Sequence, residues 1–367
     1  MSVLALQRDA VWQATAASAR GASHERSGLP NQDSGRTVLI ANGAGAVIAV
    51  ADGHGDSLHA RSDRGSRFAI EAAFDVLTNW IASATGSEDA IRRSAEQLPE
   101  AILESWRGRV TSDLDGNVPG EAETRSLSSE KIEYIKRSPE VLYGSTLVAA
   151  AISNRFVAYI QIGDGDLLIV GQDGLVSRVV PGRDDLPVSR TESLCQADAR
   201  KRFRVAVEFF SAKPRPQFVM ASTDGYVNSY PGDDAAFLKV AADIKRYLEH
   251  HGLAWVEQHV ESWLKQTTQA GSGDDITLAL AWLGSEKAAP EPLKPRRTRR
   301  YLAIVALVAT ICVSLAWAGR DWVPAGWKAY ALGLAYAASE KTMKILHFPP
   351  KGAPAGKPDT DGSIAPR

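Results

Sequence analysis

Short apolar runs rich in β-branched residues recur between residues 37 and 283, and glycine or aspartate turn signals separate them. Runs of this length and composition predict β-strands rather than helices. The connections at residues 153–155 and 172–174 are as short as hairpin turns, so neighbouring strands are expected to be mostly antiparallel. The predicted strands are residues 37–41, 46–51, 145–152, 156–162, 166–170, 203–210, 217–222 and 276–283.

Longer segments with apolar residues at helical spacing, such as Phe68, Ala72, Leu77 and Ile81, lie between these strands. A chain that mixes antiparallel strands with amphipathic helices buries its apolar faces most simply as packed sheets covered by helices. We therefore predict an α+β fold with two packed, mainly antiparallel β-sheets flanked by helices, an α-β-β-α sandwich. The predicted helices are residues 57–84, 87–112, 234–250 and 253–268, and residues 114–130 are predicted to form a long loop.

The segment YLAIVALVATICVSLAWAG, residues 301–319, carries no charge. A helix of this length spans about 30 Å, which is the thickness of the hydrocarbon core of a bilayer. The preceding KPRRTRR, residues 294–300, forms a dense positive flank that predicts a cytoplasmic position for this end. We therefore predict one C-terminal transmembrane helix, with a buried core helix as the alternative.

Proline-rich residues 288–295 sustain neither a helix nor a central strand, so they predict a boundary. The predicted organisation is a folded domain at residues 1–286, a juxtamembrane linker at 287–300, the span, and a tail at 320–367. The tail is predicted to be partly an interfacial helix and then disordered. No cleavable signal peptide is visible, so we predict a single-pass protein of the cytoplasmic membrane with its folded domain in the cytoplasm.

The composition excludes several classes of protein. With 44% hydrophobic residues the chain can bury a sizeable core, which excludes a wholly disordered protein. Lys and Arg together number 42 and Asp and Glu 43, so no global basic field predicts a nucleic-acid partner. The cysteines, Cys195 and Cys312, lie far apart in sequence, which predicts no disulfide framework and fits a reducing compartment.

Acidic residues stand at or beside the ends of the predicted strands. A single Asp-Gly pair is an ordinary turn, but several of them at one sheet edge would repel one another unless a cation neutralised them. Oxygen ligands without cysteine or several histidines suit Mg²⁺ or Mn²⁺ rather than structural Zn²⁺, and two such ions suit phosphoryl transfer. The acidic residues in question are Asp33, Asp52, Asp164, Asp224, Asp274 and Asp275.

The order of these motifs resembles the metal-dependent, type-2C (PPM) serine/threonine protein phosphatase family, especially its bacterial members. The resemblance extends across residues 21–284 and implies the sandwich fold and hydrolysis of phosphoserine and phosphothreonine. It also implies Mn²⁺ or Mg²⁺ as cofactor, with two ions and, as in many bacterial relatives, a third. The matching segments are GLPNQDS, VIAVADGHGD, YGSTLVAAAI, IQIGDGDLLIV, FVMASTDGYVN and GSGDDITLALAWL.

By position, the resemblance assigns the main metal ligands. It makes Asp52 the carboxylate that bridges two metals, with the Gly53 carbonyl as a further ligand. Asp224 and Asp274 would complete one metal site, and Asp33 would hold metal-bound water at the other.

The resemblance also assigns residues around the metals. Asp164, in the place of the family's Gly-Asp-Ser motif, would help to bind the third metal. His54 matches the proposed general acid, which would protonate the departing serine or threonine oxygen. The family's phosphate-binding arginine is replaced by Gly28, which leaves Arg26 as the nearest candidate and Arg20 as a poorer one.

Several other positions depart from the family pattern. Gln32 replaces a glutamate, Asp56 replaces a glycine, Asp166 lies where an arginine is usual, and Asp275 replaces an asparagine. None of these changes removes a main metal carboxylate, so the pattern favours an active enzyme over an inactive relative. Residues 172–216 match the position of the family's variable flap.

The main hypothesis is therefore a membrane-anchored phosphatase that acts on phosphorylated proteins and opposes a serine/threonine kinase. Membrane lipid is the other predicted partner, through the C-terminal helix. One alternative is a catalytically weak, phosphoprotein-binding scaffold of the same fold, because the phosphate-binding arginine is missing. The other alternative is a phosphatase for a small phosphorylated molecule, which would use the same site.

Overall fold

The computed structural model describes residues 10–179 and 192–285, in which strands and helices follow one another in groups. The strands are β1 (Ala10–Ala19), β2 (Ser34–Ile40), β3 (Gly45–Ala51), β4 (Leu147–Ile152), β5 (Phe156–Ile162), β6 (Asp166–Val170), β7 (Val176–Arg178), β8 (Arg204–Phe209), β9 (Phe218–Ser222) and β10 (Ile276–Ser285). The helices are α1 (Ala22–Ser27), α2 (Ser62–Ser83), α3 (Glu88–Ala95), α4 (Leu98–Gly116), α5 (Glu121–Thr124), α6 (Ser129–Arg137), α7 (Ala199–Arg202), α8 (Asp224–Val227), α9 (Asp234–His251) and α10 (Leu253–Ala270).

The strands of the described residues form two five-stranded sheets. One sheet has the order β1-β10-β9-β6-β7 and the other the order β2-β3-β4-β5-β8. Neighbouring strands are antiparallel throughout both sheets. The predicted hairpins are present, since β4 pairs with β5 and β6 pairs with β7.

The side chains of β3 show how the layers pack, because successive residues of a strand point to opposite faces. Val47 and Ala49 lie in an apolar core with residues of α2 and α4, whereas Ile48 and Val50 lie in the core between the two sheets. A third core joins α9 and α10 to the outer face of the other sheet. The predicted α-β-β-α sandwich is therefore confirmed.

Most predicted elements are present with shifted ends, and β5 and β6 have the predicted bounds. The prediction of one helix over residues 87–112 is wrong, because the chain forms α3 and α4 there with a break at residues 96–97. Pro99 lies in the first turn of α4, where a missing backbone N–H costs nothing. Proline therefore marks a helix start at this position.

Two further elements differ from the sequence prediction. The predicted loop at residues 114–130 is wrong in part, because the end of α4, all of α5 and the start of α6 lie in it. Strand β1 was not predicted, because its buried residues, Trp12, Thr15 and Ala19, do not alternate with exposed ones. It forms because β10 offers a pairing edge along its whole length.

The predicted C-terminal elements at 287–300, 301–319 and 320–367 lie outside the described residues. Within residues 10–179 and 192–285, no helix combines the length and the apolar character that crossing a bilayer requires.

The contact between α2 and the segment before β4 provides a test of this packing. A Cβ atom at Gly65 would lie 2.0 Å from the carbonyl oxygen of Tyr143, so Gly65→Ala forces two backbone segments apart. Overpacking of this kind typically costs about 1–3 kcal/mol, and we expect the free energy of unfolding to fall by at least that amount.

Gly108→Ala in α4 is the matched control, because nothing lies within 4 Å of its added Cβ. We expect this change to raise the free energy of unfolding by about 0.5–1 kcal/mol, the ordinary helix preference of alanine over glycine. Urea unfolding of both full-length variants measures the difference. Equal stability of the two variants would contradict the packing at Gly65.

Candidate active site

Aspartates from distant parts of the chain meet at one edge of the two sheets. Asp52 follows β3, Asp164 lies in the turn before β6, Asp224 follows β9, and Asp274 precedes β10. Since β9 pairs antiparallel with both β6 and β10, the end of β9 lies beside the starts of its neighbours. These four residues line one pocket of about 710 Å³, together with Gly53 and His54.

Asp52 lines this pocket, and its backbone is held by Thr146. Its N–H donates to Thr146 Oγ1 at 3.0 Å, and the N–H of Thr146 donates to its carbonyl oxygen at 2.8 Å. Burial, followed by the charges of Asp33 and Asp224, raises the pKa of Asp52 well above its usual range. The side chain is also hydrogen-bonded to that of Asp224, so two carboxyl groups share this part of the pocket.

The Gly53–His54 turn is fixed by main-chain hydrogen bonds. The Gly53 N–H donates to the Gln32 carbonyl at 3.2 Å, and the His54 N–H donates to the Gly144 carbonyl at 3.1 Å. A Cβ atom at position 53 would lie 2.6 Å from the carbonyl oxygens of both Gln32 and Ser62. Only glycine therefore fits where these backbone segments come together.

Asp33 is buried beside this group and lines a neighbouring pocket of about 410 Å³ rather than the main one. Thr223 Oγ1 donates to Asp33 Oδ2 at 2.7 Å, which favours the ionised form. Burial is the larger effect and, with the charges of Asp275 and Asp274, raises the pKa of Asp33 well above its usual range. Asp33 and Asp52 are thus electrostatically linked although they face different openings.

The donor set fits a divalent cation in its chemistry. Carboxylate oxygens that are buried together and repel one another are stabilised by Mg²⁺ or Mn²⁺, which prefer oxygen ligands. Within the described residues, no three His, Cys, Asp or Glu side chains are already in a ligating arrangement. Asp52, Asp224 and Asp274 are the side chains that would hold an ion in the main pocket. Asp33 would contribute its negative charge from the neighbouring pocket.

His54 is accompanied by a second histidine that the sequence did not single out. The rings of His54 and His59 are 4.9 Å apart in an edge-to-face arrangement. His59 Nδ1 lies 2.5 Å from the Val141 carbonyl oxygen, which only accepts, so the hydrogen of the neutral ring is on Nδ1. Burial, and then the charge of His59, lowers the pKa of His54 to about 3. His54 is therefore neutral at pH 7 in this structure.

Gln32 and Asp275, two of the departures from the family pattern, organise the segment that carries Asp33. Asp275 is buried, and its carboxylate accepts the N–H groups of Gly21 and Gln32, each at 2.6 Å. Gln32 Nε2 donates to Ser62 Oγ at 2.8 Å. Gln32 Oε1 is buried without a hydrogen-bond partner among the described residues, and the residue lines the main pocket.

The phosphate-binding residue is the least supported of the predicted positions. Arg26 is exposed on α1 and does not line the main pocket, and Arg20 donates to the His24 carbonyl at 2.9 Å instead. His24 does line the pocket, and its Nδ1 lies 3.0 Å from Asp275 Oδ2. Nothing in the sequence pattern distinguished His24 from an ordinary surface histidine.

The double acceptor role of Asp275 leads to a stability prediction. Asp275→Asn replaces one carboxylate oxygen by an NH₂ group, so one of the two buried N–H donors loses its acceptor. Leaving a buried donor unpaired costs about 1–3 kcal/mol, and we expect the free energy of unfolding to fall by that amount. Chemical unfolding checks this value.

Asp115→Asn is the matched control for this prediction, because Asp115 is exposed at the end of α4. An exposed substitution of this kind changes stability by less than about 0.5 kcal/mol. If Asp275→Asn has no larger effect than the control, Asp275 does not hold the two backbone segments together.

Comparison with known proteins identifies the family of this chain. The model of the family described as Protein phosphatase 2C matches residues 20–265. No curated protein matches the chain. Among solved structures, PppA, described as a key regulatory component of T6SS in Pseudomonas aeruginosa, is 17% identical, with 75% of this chain and 100% of that chain covered and a TM-score of 0.46.

Two further solved structures are similar to a comparable extent. The serine/threonine phosphatase Stp1 from Staphylococcus aureus is 14% identical, with coverage of 74% of this chain and 95% of that chain and a TM-score of 0.47. The serine/threonine phosphatase PstP/Ppp from Mycobacterium tuberculosis is 15% identical, with coverage of 74% of this chain and 99% of that chain and a TM-score of 0.43. Because the family model spans well over half of the chain, the chain belongs to the protein phosphatase 2C family.

Proposed function

We propose that this protein is a metal-dependent phosphatase that hydrolyses phosphoserine and phosphothreonine in proteins. The observation that carries the proposal is the meeting of Asp52, Asp164, Asp224 and Asp274 in one pocket, with Asp33 beside it. Membership of the protein phosphatase 2C family supports the same reaction. A cluster of this kind suits Mn²⁺ or Mg²⁺, with two ions and a third at Asp164 as the resemblance implies.

In this mechanism the aspartate carboxylates would bind the cations, and the hydrogen bonds around them fix their positions. When bound, Mn²⁺ or Mg²⁺ supplies positive charge for the phosphoryl group and activates water for attack on phosphorus. Asp52 and Asp224 lie side by side, the Asp274 side chain is half exposed, and Asp33 acts through its link to Asp52. Main-chain hydrogen bonds at Gly53 and His54 keep Asp52 and the His54 ring in a fixed relation.

His54 is proposed to protonate the serine or threonine oxygen that leaves phosphorus. With a pKa of about 3 the ring carries no proton to donate at pH 7, so the proposal requires substrate to raise that pKa. A phosphate dianion in the pocket does so, because a nearby negative charge favours the charged form of histidine. His59, with the hydrogen of its neutral ring on Nδ1, limits the positions that the His54 ring can take.

A catalytically weak, phosphoprotein-binding scaffold is the second candidate. It is favoured by the position of Arg26 outside the pocket and by the neutral state of His54. A small phosphorylated molecule as substrate would use the same carboxylates. Calorimetry with Mn²⁺ separates the scaffold from the enzyme, because a scaffold that lacks metal binding releases no heat.

We also propose that residues 301–319 anchor the protein in the cytoplasmic membrane, with residues 294–300 and the phosphatase domain in the cytoplasm. An anchor raises the effective concentration of the enzyme toward membrane-associated phosphoproteins, including those made by an opposing kinase. The linker at 287–300 and the tail at 320–367 complete the proposed organisation.

Asp52→Asn tests the proposed reaction. The change removes the central carboxylate, so we expect metal-dependent hydrolysis of p-nitrophenyl phosphate to fall by more than the roughly 10–100-fold typical of losing an outer partner of a metal ligand. Asp89→Asn, on the exposed surface of α3, is the control that should keep full activity. Undiminished turnover by Asp52→Asn would refute the proposed function.

The same variant should be more stable than the wild type without metal at pH 7. The pKa of Asp52 is raised on folding, so the folded chain binds more protons than the unfolded chain above about pH 4. The free energy of unfolding therefore falls as pH rises from about 4 through the raised pKa of Asp52. Asparagine carries no charge, so it removes the cost of ionising this buried side chain. Thermal unfolding with and without EDTA measures the effect.

Fractionation of cells that express the full-length chain tests the proposed anchor. We expect the protein in the membrane fraction after a wash with high salt, which removes proteins held only by charge. A chain that ends at residue 286 is the control and should be recovered in the soluble fraction. Recovery of the full-length chain in the soluble fraction would contradict the anchor.

A further inference from the structure

The main pocket is lined by residues of different character. Besides the carboxylates, the lining includes Leu58, Tyr134, Val141 and Cys195, which are called here the Tyr134 face. A pocket of about 710 Å³ is of the size that encloses a drug-sized molecule, so a phosphoryl group alone leaves much of it empty. The remainder of a phosphorylated substrate therefore has room to extend along the Tyr134 face.

The segment that supplies Tyr134 is tied to the core by one buried arginine. Arg61 is 4% exposed and forms a bidentate ion pair with Glu123, with N–O distances of 2.5 and 2.9 Å. Its Nη1 also donates to the Asn117 carbonyl and to Tyr143 Oη, each at 2.7 Å. Fork-shaped pairs of this kind fix geometry as well as supplying energy. Arg61 thus holds residues 117–123 beside Tyr143, close to the segment before β4.

Helix α6 then places Tyr134 at the edge of the pocket. Ser128 Oγ caps the helix by accepting the Lys131 N–H at 3.3 Å, and Ile135 is buried in the core shared with α2 and α4. Burial of Ile135 fixes the rotation of the helix, so the adjacent Tyr134 is left 43% exposed at the pocket. Lys131 Nζ lies 3.4 Å from Asp56 Oδ1, which offsets the carboxylate charge at this side.

We propose that the Tyr134 face binds an apolar or aromatic side chain next to the phosphorylated serine or threonine of a protein substrate. This inference rests on the proposed function, because the phosphoryl group must lie among the carboxylates. Asp56, the carboxylate on this side, is already paired with Lys131, so a charged neighbour gains no free partner there, whereas an apolar one is desolvated against Leu58 and the Tyr134 ring. A small phosphate ester would leave the face without contact.

Two phosphothreonine peptides that differ only in leucine or alanine beside the phosphothreonine provide the test. For the wild type with Mn²⁺ we expect kcat/KM to be about tenfold higher for the leucine peptide, mainly through a lower KM. Tyr134→Ala should reduce this ratio to about one, and Tyr134→Phe should retain it. Because both peptides are measured on the same preparation, a partly unfolded variant does not change the ratio.

Val118→Ala is the matched control, since Val118 belongs to the same segment but is 81% exposed and does not line the pocket. It should retain the tenfold ratio. A wild-type ratio of about one, or a ratio that survives in Tyr134→Ala, overturns the assignment of the Tyr134 face. If the wild type hydrolyses neither the peptides nor p-nitrophenyl phosphate with metal, the proposed function itself fails.

Discussion

Repulsion between buried carboxylates governs the edge of the sandwich at which β3, β6, β9 and β10 meet. Asp52 lies against the charges of Asp33, Asp224 and Asp274, and burial removes the water that would otherwise screen them. The carboxyl groups of Asp52, Asp224 and Asp274 cannot separate, because they adjoin β3, β9 and β10, which are packed in the core between the sheets. The energy of this arrangement is lowered by a proton or by a cation, and this is the physical basis of the proposed metal dependence.

The other acidic residues near the pocket are in a different situation. Asp275 accepts two main-chain N–H groups and lies 3.0 Å from His24, and Asp166 forms an ion pair with Arg178 at 2.6 Å. The pKa of Asp56 is lowered, first by its hydrogen bond from the Leu58 N–H and then by Lys131. The departures from the family pattern thus add carboxylates that have partners inside the fold. Asp56 and Asp166 stabilise the segments around the cluster, whereas Asp275 both accepts two main-chain N–H groups and adds its charge to the repulsion on Asp33.

Several parts of the site could be predicted because they are local in sequence. The Asp52-Gly53-His54 turn follows a buried strand, so the motif itself places a carboxylate and an imidazole together. His59 and Tyr134 could not be predicted in this way, because a hydrogen bond to Val141 holds His59 at the pocket and the burial of Ile135 orients Tyr134. Arg26, which is close to Asp33 in sequence, is exposed on α1 and does not line the main pocket, and its proposed role stays a prediction.

Short β-branched apolar runs bounded by turn signals were sufficient for the two-sheet sandwich, since the length and composition of a run are local properties of the sequence. They did not predict β1, whose pairing with β10 joins the first and last described strands. The pKa values of Asp52 and His54, and the apolar side of the pocket, also depended on the folded structure. Burial and electrostatic interaction are set by distances between residues that are far apart in the chain, and those distances exist only after folding.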